Sequence, residues 1–190
     1  LIGLVGSEMC IRDSNDYLMM RYADVLLMYA EAKIELNELD KSVTDAINSV
    51  RARAYGVNLT DTGLYPAVPL GTQEEMRKAV RIERRMELAN EGLRYMDLIR
   101  WKLAAKALNG YNYINLPPTE LLNNVVKKDL WFWGMTPQID EDGLADFSAL
   151  YNAGLVSLGA KRVFPDRQYL WPIPTRDMIL CPNLKNNPGY

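Results

Sequence analysis

The stretch from Ile82 to Trp101, IERRMELANEGLRYMDLIRW, decides how the chain is read. It sets Glu83, Arg84, Arg85, Glu87, Glu91, Arg94, Asp97 and Arg100 among apolar residues at helical intervals. Exposed pairs on a helix contribute only about 0.2 to 0.5 kcal/mol each, so a solvated face would hold such a segment weakly. Enclosed by Met86, Leu88, Leu93, Met96, Leu98 and Trp101, each arginine instead requires a partner, because an unpaired buried charge is severely costly. The eight charged residues therefore read as an internal ion-pair lattice, with a polar surface helix as the alternative.

Working outward, Thr72 and Glu75 form a capping box that starts the charged helix. This helix is expected to run to about Asn90, with a break at Glu91 and Gly92, and a further helix to span Leu93 to Leu108 until Asn109 and Gly110 stop it. Glycine inside a helix costs about 0.5 to 1 kcal/mol relative to alanine, so Gly92 needs either close packing or a change of direction. Upstream, Leu18, Tyr22, Val25, Leu26, Tyr29, Ala30 and Ile34 recur at three and four between Asp16 and Leu36. A second helix follows from Ser42 to Tyr55, with Val43, Ala46, Ile47, Val50 and Ala54 inward and Gly56 as its cap. The fold class is mainly α: a tetratricopeptide-like helical hairpin, further helices and long irregular loops. One such hairpin cannot bury its own face and requires neighbours.

The charged run, RYADVLLMYAEA at Arg21 to Ala32, and LWPIPTRDMILCPNLKNNPGY at Leu170 to Tyr190 resemble three ordered signatures of the SusD/RagB family. The resemblance spans roughly residues 16 to 190. It implies that residues 15–190 are the C-terminal portion of a SusD-like α-helical fold, with further tetratricopeptide units upstream. The first fourteen residues, LIGLVGSEMCIRDS, do not continue the pattern and are read as a non-native tail, with a native but divergent connector as the alternative. By resemblance the protein is an outward-facing outer-membrane lipoprotein of the Bacteroidota, its N-terminal lipid anchor absent from this chain. The resemblance further implies non-catalytic capture of an oligosaccharide, in partnership with a TonB-dependent (SusC-like) transporter. Some relatives take peptides, and a helical protein-interaction scaffold is a second alternative.

Composition excludes other classes. With 190 residues, 48% hydrophobic and 24% charged, the chain can bury a sizeable core. Its net charge is -2 and no basic block tracks a phosphate backbone, so nucleic acid is not an expected partner. The chain has no histidine, which removes a Ser-His-Asp triad and a histidine-bearing zinc site; no cofactor is expected. The acidic turn Asp140, Glu141, Asp142 before Gly143 lacks the ligand spacing of a calcium loop, and no metal is assigned. A glycoside hydrolase, the weakest alternative, would need two carboxylates about 5 to 9.5 Å apart across a cleft.

Beyond Tyr111 helical regularity is lost and aromatic residues gather among asparagines and prolines. Sugar rings stack their C–H faces on aromatic side chains while their hydroxyls bond to amides, so Tyr111, Tyr113, Trp131 and Trp133 are the candidate ligand-binding residues. Each ring has a competing reading as a core plug. In the tail, Thr175 is expected to cap a turn from Arg176 to Leu180, and Trp171 to pack near Trp101.

Overall fold

Helix α1 (Tyr22–Glu35) and helix α2 (Lys41–Tyr55) build the first of two units in a computed structural model that describes residues 20–130 and 135–190. That unit ends at Leu70; the second runs from Gly71 to Tyr190. The tail expected at residues 1–14 lies outside the described residues. On α1 the buried positions are Ala23, Asp24, Leu27, Ala30, Glu31 and Ile34. Tyr22, Val25 and Tyr29, expected inside, are exposed. The cause is compositional: apolar side chains occupy nearly the whole circumference of α1, so periodicity alone could not choose its inner face. On α2 the inner face holds Val43, Ala46, Ile47 and Val50 as expected, but Ala52 is buried in place of Ala54.

Polar contacts close the hairpin. Asp40 caps α2 by accepting from the Ser42 backbone N–H at 2.8 Å and pairs with Lys33, while the Tyr29 hydroxyl meets Ser42 Oγ at 2.8 Å. Gly56 ends α2 at φ +68°. The following loop is pinned to α2 by Asn48, whose amide donates to the Val68 carbonyl and accepts from the Val68 N–H.

In the second unit, α3 (Gln73–Glu87) begins at the predicted capping box, with both reciprocal bonds present between Thr72 and Glu75. It ends three residues before the expected boundary, and Asn90 and Gly92 both take positive φ on the way to α4 (Leu93–Arg100). A Cβ on Gly92 would meet nothing within 4 Å, so the glycine is required by its φ of +78° and not by close packing.

The expected helix from Leu93 to Leu108 is in fact two, α4 and α5 (Ala104–Leu108). Lys102 lies at φ +58°, its N–H bonded to the Ile99 carbonyl, and the Leu103 N–H reaches back to the Leu98 carbonyl. This is a Schellman ending with lysine at the position glycine usually holds. The accompanying apolar contact forms because Leu98 and Leu103 share a core with Ala104 and Phe164.

Strand β1 (Gly110–Ile114) pairs antiparallel with β4 (Ser157–Arg162), and β2 (Gln138–Ile139) with β3 (Ala145–Asp146). Between the pairs run the short helices α6 (Pro118–Asn124) and α7 (Ser148–Asn152), around a second core of Leu116, Val125, Leu150 and Leu155. Strand β1 went unread because its partner lies more than forty residues later, and β2 and β3, though close in sequence, are too short at two residues each to show alternation.

The tail contains α8 (Thr175–Leu180), where Thr175 is the first helical residue and makes no cap. Trp171 is 75% exposed. The tail is anchored instead by Phe164 and by Tyr169, whose hydroxyl accepts from the Ala105 N–H at 2.9 Å and donates to the Lys102 carbonyl at 3.1 Å. Phe164 and Tyr169 meet edge to face at 5.0 Å.

Lys102→Gly tests the left-handed ending. Relief of about 1 to 2 kcal/mol of αL strain should match or exceed the lost stacking of the Lys102 ammonium on Tyr169, leaving the melting temperature unchanged or raised. A fall of about 1 kcal/mol, the cost of glycine inside a continuous helix, would contradict it.

Candidate functional site

Asp97 is the centre of the charged run. It is buried, and its carboxylate takes Arg84 in two bonds, Nε to Oδ2 at 2.9 Å and Nη2 to Oδ1 at 3.2 Å. Arg100, one turn on, adds Nε to Oδ1 at 2.9 Å. Side-chain exposures of 5% for Arg84 and 6% for Asp97 place this pair in the interior. The break at Gly92 makes the contact possible by bringing α4 back beside the end of α3. Three guanidinium groups surround the Trp101 indole, Arg100 at 4.8 Å, Arg81 at 5.2 Å and Arg94 at 5.7 Å from its centroid. Glu83 is buried, whereas Glu91 and the enclosing residues Met86 and Met96 are exposed. Arg85 and Glu87 are half-buried.

A second charge cluster, not foreseen from sequence, binds the acidic turn to α3 and α5. Asp142 pairs with Arg81 at 2.8 Å and Lys106 at 2.6 Å, and Lys106 also meets Asp140 at 2.8 Å. Asp140 Oδ1 accepts from the N–H groups of Asp142 and Leu144, and Lys78 donates to the Ile139 carbonyl. Asp140 and Asp142 of the acidic turn are thus held by two cations of the chain itself, while Glu141 is exposed.

Beside this scaffold lies a cleft of about 870 Å³. Its walls include Tyr111 and Tyr113 from β1, Phe147, and the amides of Asn109, Asn112 and Asn115. Tyr111 is 54% exposed. Tyr113 is half-buried, its ring 5.8 Å from Phe147 and 6.4 Å from Tyr151, so it is both a packing residue and part of the wall. The structure brings Tyr111 and Tyr113 to one cleft; Trp131 and Trp133 lie outside the described residues. Phe147 is a lining residue that sequence reasoning did not single out, whereas Asn112 belongs to the asparagine-rich stretch that it did. Asn112 opposes two residues of β4, Gly159 and Ala160, at a bulge, and its Oδ1 is buried without a hydrogen-bond partner.

Two carboxylates line the cleft, Asp140 and Asp146. Burial alone would raise Asp140, but the Lys106 ammonium and the Leu144 and Asp142 N–H groups outweigh it and hold the carboxyl below its ordinary value. Asp146 is also lowered, by the backbone N–H and hydroxyl of Ser148. A general acid of glycoside hydrolysis needs the opposite shift.

The sequence model of the SusD family matches residues 6–190. SusD-like protein P2 of Formosa agariphila is 29% identical over 191 residues, covering 99% of this chain and 28% of its own length. SusD-like protein P38 of the same organism is 32% identical over 101 residues, 53% of this chain and 20% of its own. The solved structure of a SusD-like carbohydrate-binding protein from Bacteroides fragilis is 32% identical, with a TM-score of 0.62 over 88% of this chain and 28% of that one. A SusD homologue from Bacteroides thetaiotaomicron, also 32% identical, gives 0.53 over 92% and 27%. The chain therefore spans 20% and 28% of the length of these two Formosa relatives. Among the described residues no helix is long and apolar enough to cross a membrane.

Two expectations follow. Asp97→Ala removes the buried carboxylate that takes Arg84 in two bonds and should cost about 3 kcal/mol in denaturant unfolding, against about 0.5 kcal/mol or less for Lys41→Ala at the exposed Lys41–Asp45 pair. Because the folded pKa of Asp140 is depressed, its contribution is present above the ordinary value of 3.8 and is lost as pH falls through the folded value. Acid unfolding should therefore be less steep below about pH 3.8 in Lys106→Met than in the parent, measured by melting temperature against pH.

Proposed function

The chain belongs to the SusD family, and from that premise we propose that the protein captures an oligosaccharide without cleaving it. Capture takes place on the outer face of the outer membrane, where an N-terminal lipid holds the protein beside a TonB-dependent transporter that imports the glycan. The observation that carries this reading is the cleft, in which Tyr111, Tyr113 and Phe147 stand with the amides of Asn112 and Asn115, while the Asn109 amide is engaged by the Phe164 backbone. Aromatic faces take the C–H surfaces of a sugar, and amides exchange hydrogen bonds with its hydroxyls in both directions. Tyr113 is braced by Phe147 and Tyr151, so its ring gives up little freedom on binding. The carbohydrate-binding description of the Bacteroides fragilis relative supports the same ligand class. The lowered pKa values of Asp140 and Asp146 favour capture over hydrolysis, since neither carboxyl would carry a proton to a leaving group near neutral pH.

Native electrophoresis of the full-length protein through gels containing different polysaccharides, with reducing-sugar release assayed in parallel, tests the proposal. Retardation without release is expected; release would make the protein an enzyme, and no retardation by any polysaccharide would overturn glycan capture. Tyr111→Ala should weaken retardation about tenfold, from about 1 to 2 kcal/mol of lost ring contact, while Tyr55→Ala, exposed in the first unit, leaves it unchanged.

A further inference from the structure

The charges of the cleft do not balance. Six charged side chains line it: Arg85, Arg94, Lys106 and Arg162 against Asp140 and Asp146. Lys106 is held by Asp140 and Asp142, and Asp146 turns both oxygens to Ser148. Among the described residues, no ion pair joins Arg85, Arg94 or Arg162 to a carboxylate. Arg94 is the decisive case. Its Nη1 is buried and has no hydrogen-bond partner, although its guanidinium lies over Trp101. Burial, and after it the Arg85 charge, opposes its protonated form; Asp97 offsets this only in part, and Arg81 adds a smaller opposing charge. A buried guanidinium donor without an acceptor is costly, and a planar cation of this kind is best satisfied by an oxyanion accepting two parallel bonds.

We propose that Arg94, with Arg85 beside it, forms an oxyanion subsite in this cleft and that the captured glycan is acidic, bearing a carboxylate or a sulfate ester. The inference rests on the glycan-capture reading above. The aromatic wall of Tyr111 and Tyr113 would take the sugar ring, and the arginine pole its charged substituent. Carboxylate and sulfate share the chemistry that matters, two or more anionic oxygens spaced for a guanidinium fork. Arg162, at the end of β4, adds positive potential to the same cleft and is too exposed to define the subsite.

The test uses the full-length protein in native gels containing polygalacturonate, dextran sulfate or neutral dextran and laminarin, at low and raised salt. Retardation by an acidic polymer that weakens about tenfold or more in both Arg94→Gln and Arg85→Gln, but not in Arg176→Gln outside the cleft, supports the subsite. Polygalacturonate acting alone would name the carboxylate, and dextran sulfate alone the sulfate ester. Should Arg94→Gln lower the melting temperature, Arg85→Gln decides. Retardation by neutral polymers only, or acidic retardation indifferent to both variants, overturns the oxyanion subsite while glycan capture stands. No retardation by any polymer overturns both.

Discussion

The bidentate contact between Arg84 and Asp97 is the constraint on which the second unit depends. Both groups are removed from water, so each relies on the other to offset its lost hydration, with Arg100 a further partner of Asp97. The contact fixes the last turn of α3 against the middle of α4, and it does so across a turn in which Asn90 and Gly92 both adopt left-handed backbone. Once the two helices are set, Arg81 and Arg94 meet the same indole from different elements, and Trp101 becomes the shared floor of the arginine cluster. Buried ion pairs of this kind add little net stability compared with apolar packing, but they tolerate only one arrangement.

Much of this was readable in the sequence where a local chemical rule applies. Thr72 with Glu75, Gly56 after α2 and Gly92 after the charged helix are each a residue type doing what few others can, and each marks its boundary to within a few residues. Lys102 was unreadable for the same reason in reverse. Lysine carries no signal for a left-handed ending, which here is enforced by tertiary contact, Leu98 and Leu103 closing on Ala104 and Phe164. The face of α1 was misread because apolar residues on nearly every side leave burial to be decided by neighbours.

The candidate site was legible only in part, and the dividing line is sequence separation. Tyr111 and Tyr113 announce themselves as aromatic positions with a period of two. Their partners come from elsewhere: Phe147 from the start of α7, and β4 from the far side of the intervening loops. Nothing in the segment Asp140 to Gly143 says that its carboxylates will meet Arg81 and Lys106 rather than solvent. The bulge shows the limit most plainly. A Cβ at Gly159 would stand 2.8 Å from the Asn112 amide, so a glycine that reads as an ordinary strand weakness in fact makes room for a polar group of the cleft.

Within the second unit, Arg94 belongs both to the cluster around Trp101 and to the cleft. Seven residues before Trp101, it lies two helical turns from the indole and stacks on it, while the same side chain helps to line the cleft. The arginine cluster around Trp101 and the wall of the cleft therefore share a residue. The indole and the packed helices hold the guanidinium in a fixed direction, so orienting it requires little further loss of side-chain entropy, which arginine otherwise loses on making its bonds. A cation fixed in this way discriminates by geometry as well as by charge: it favours an acceptor with two oxygens in one plane over a lone hydroxyl. In the proposed subsite, the cluster around Trp101 that orients Arg94 also sets which acceptor geometry the guanidinium favours.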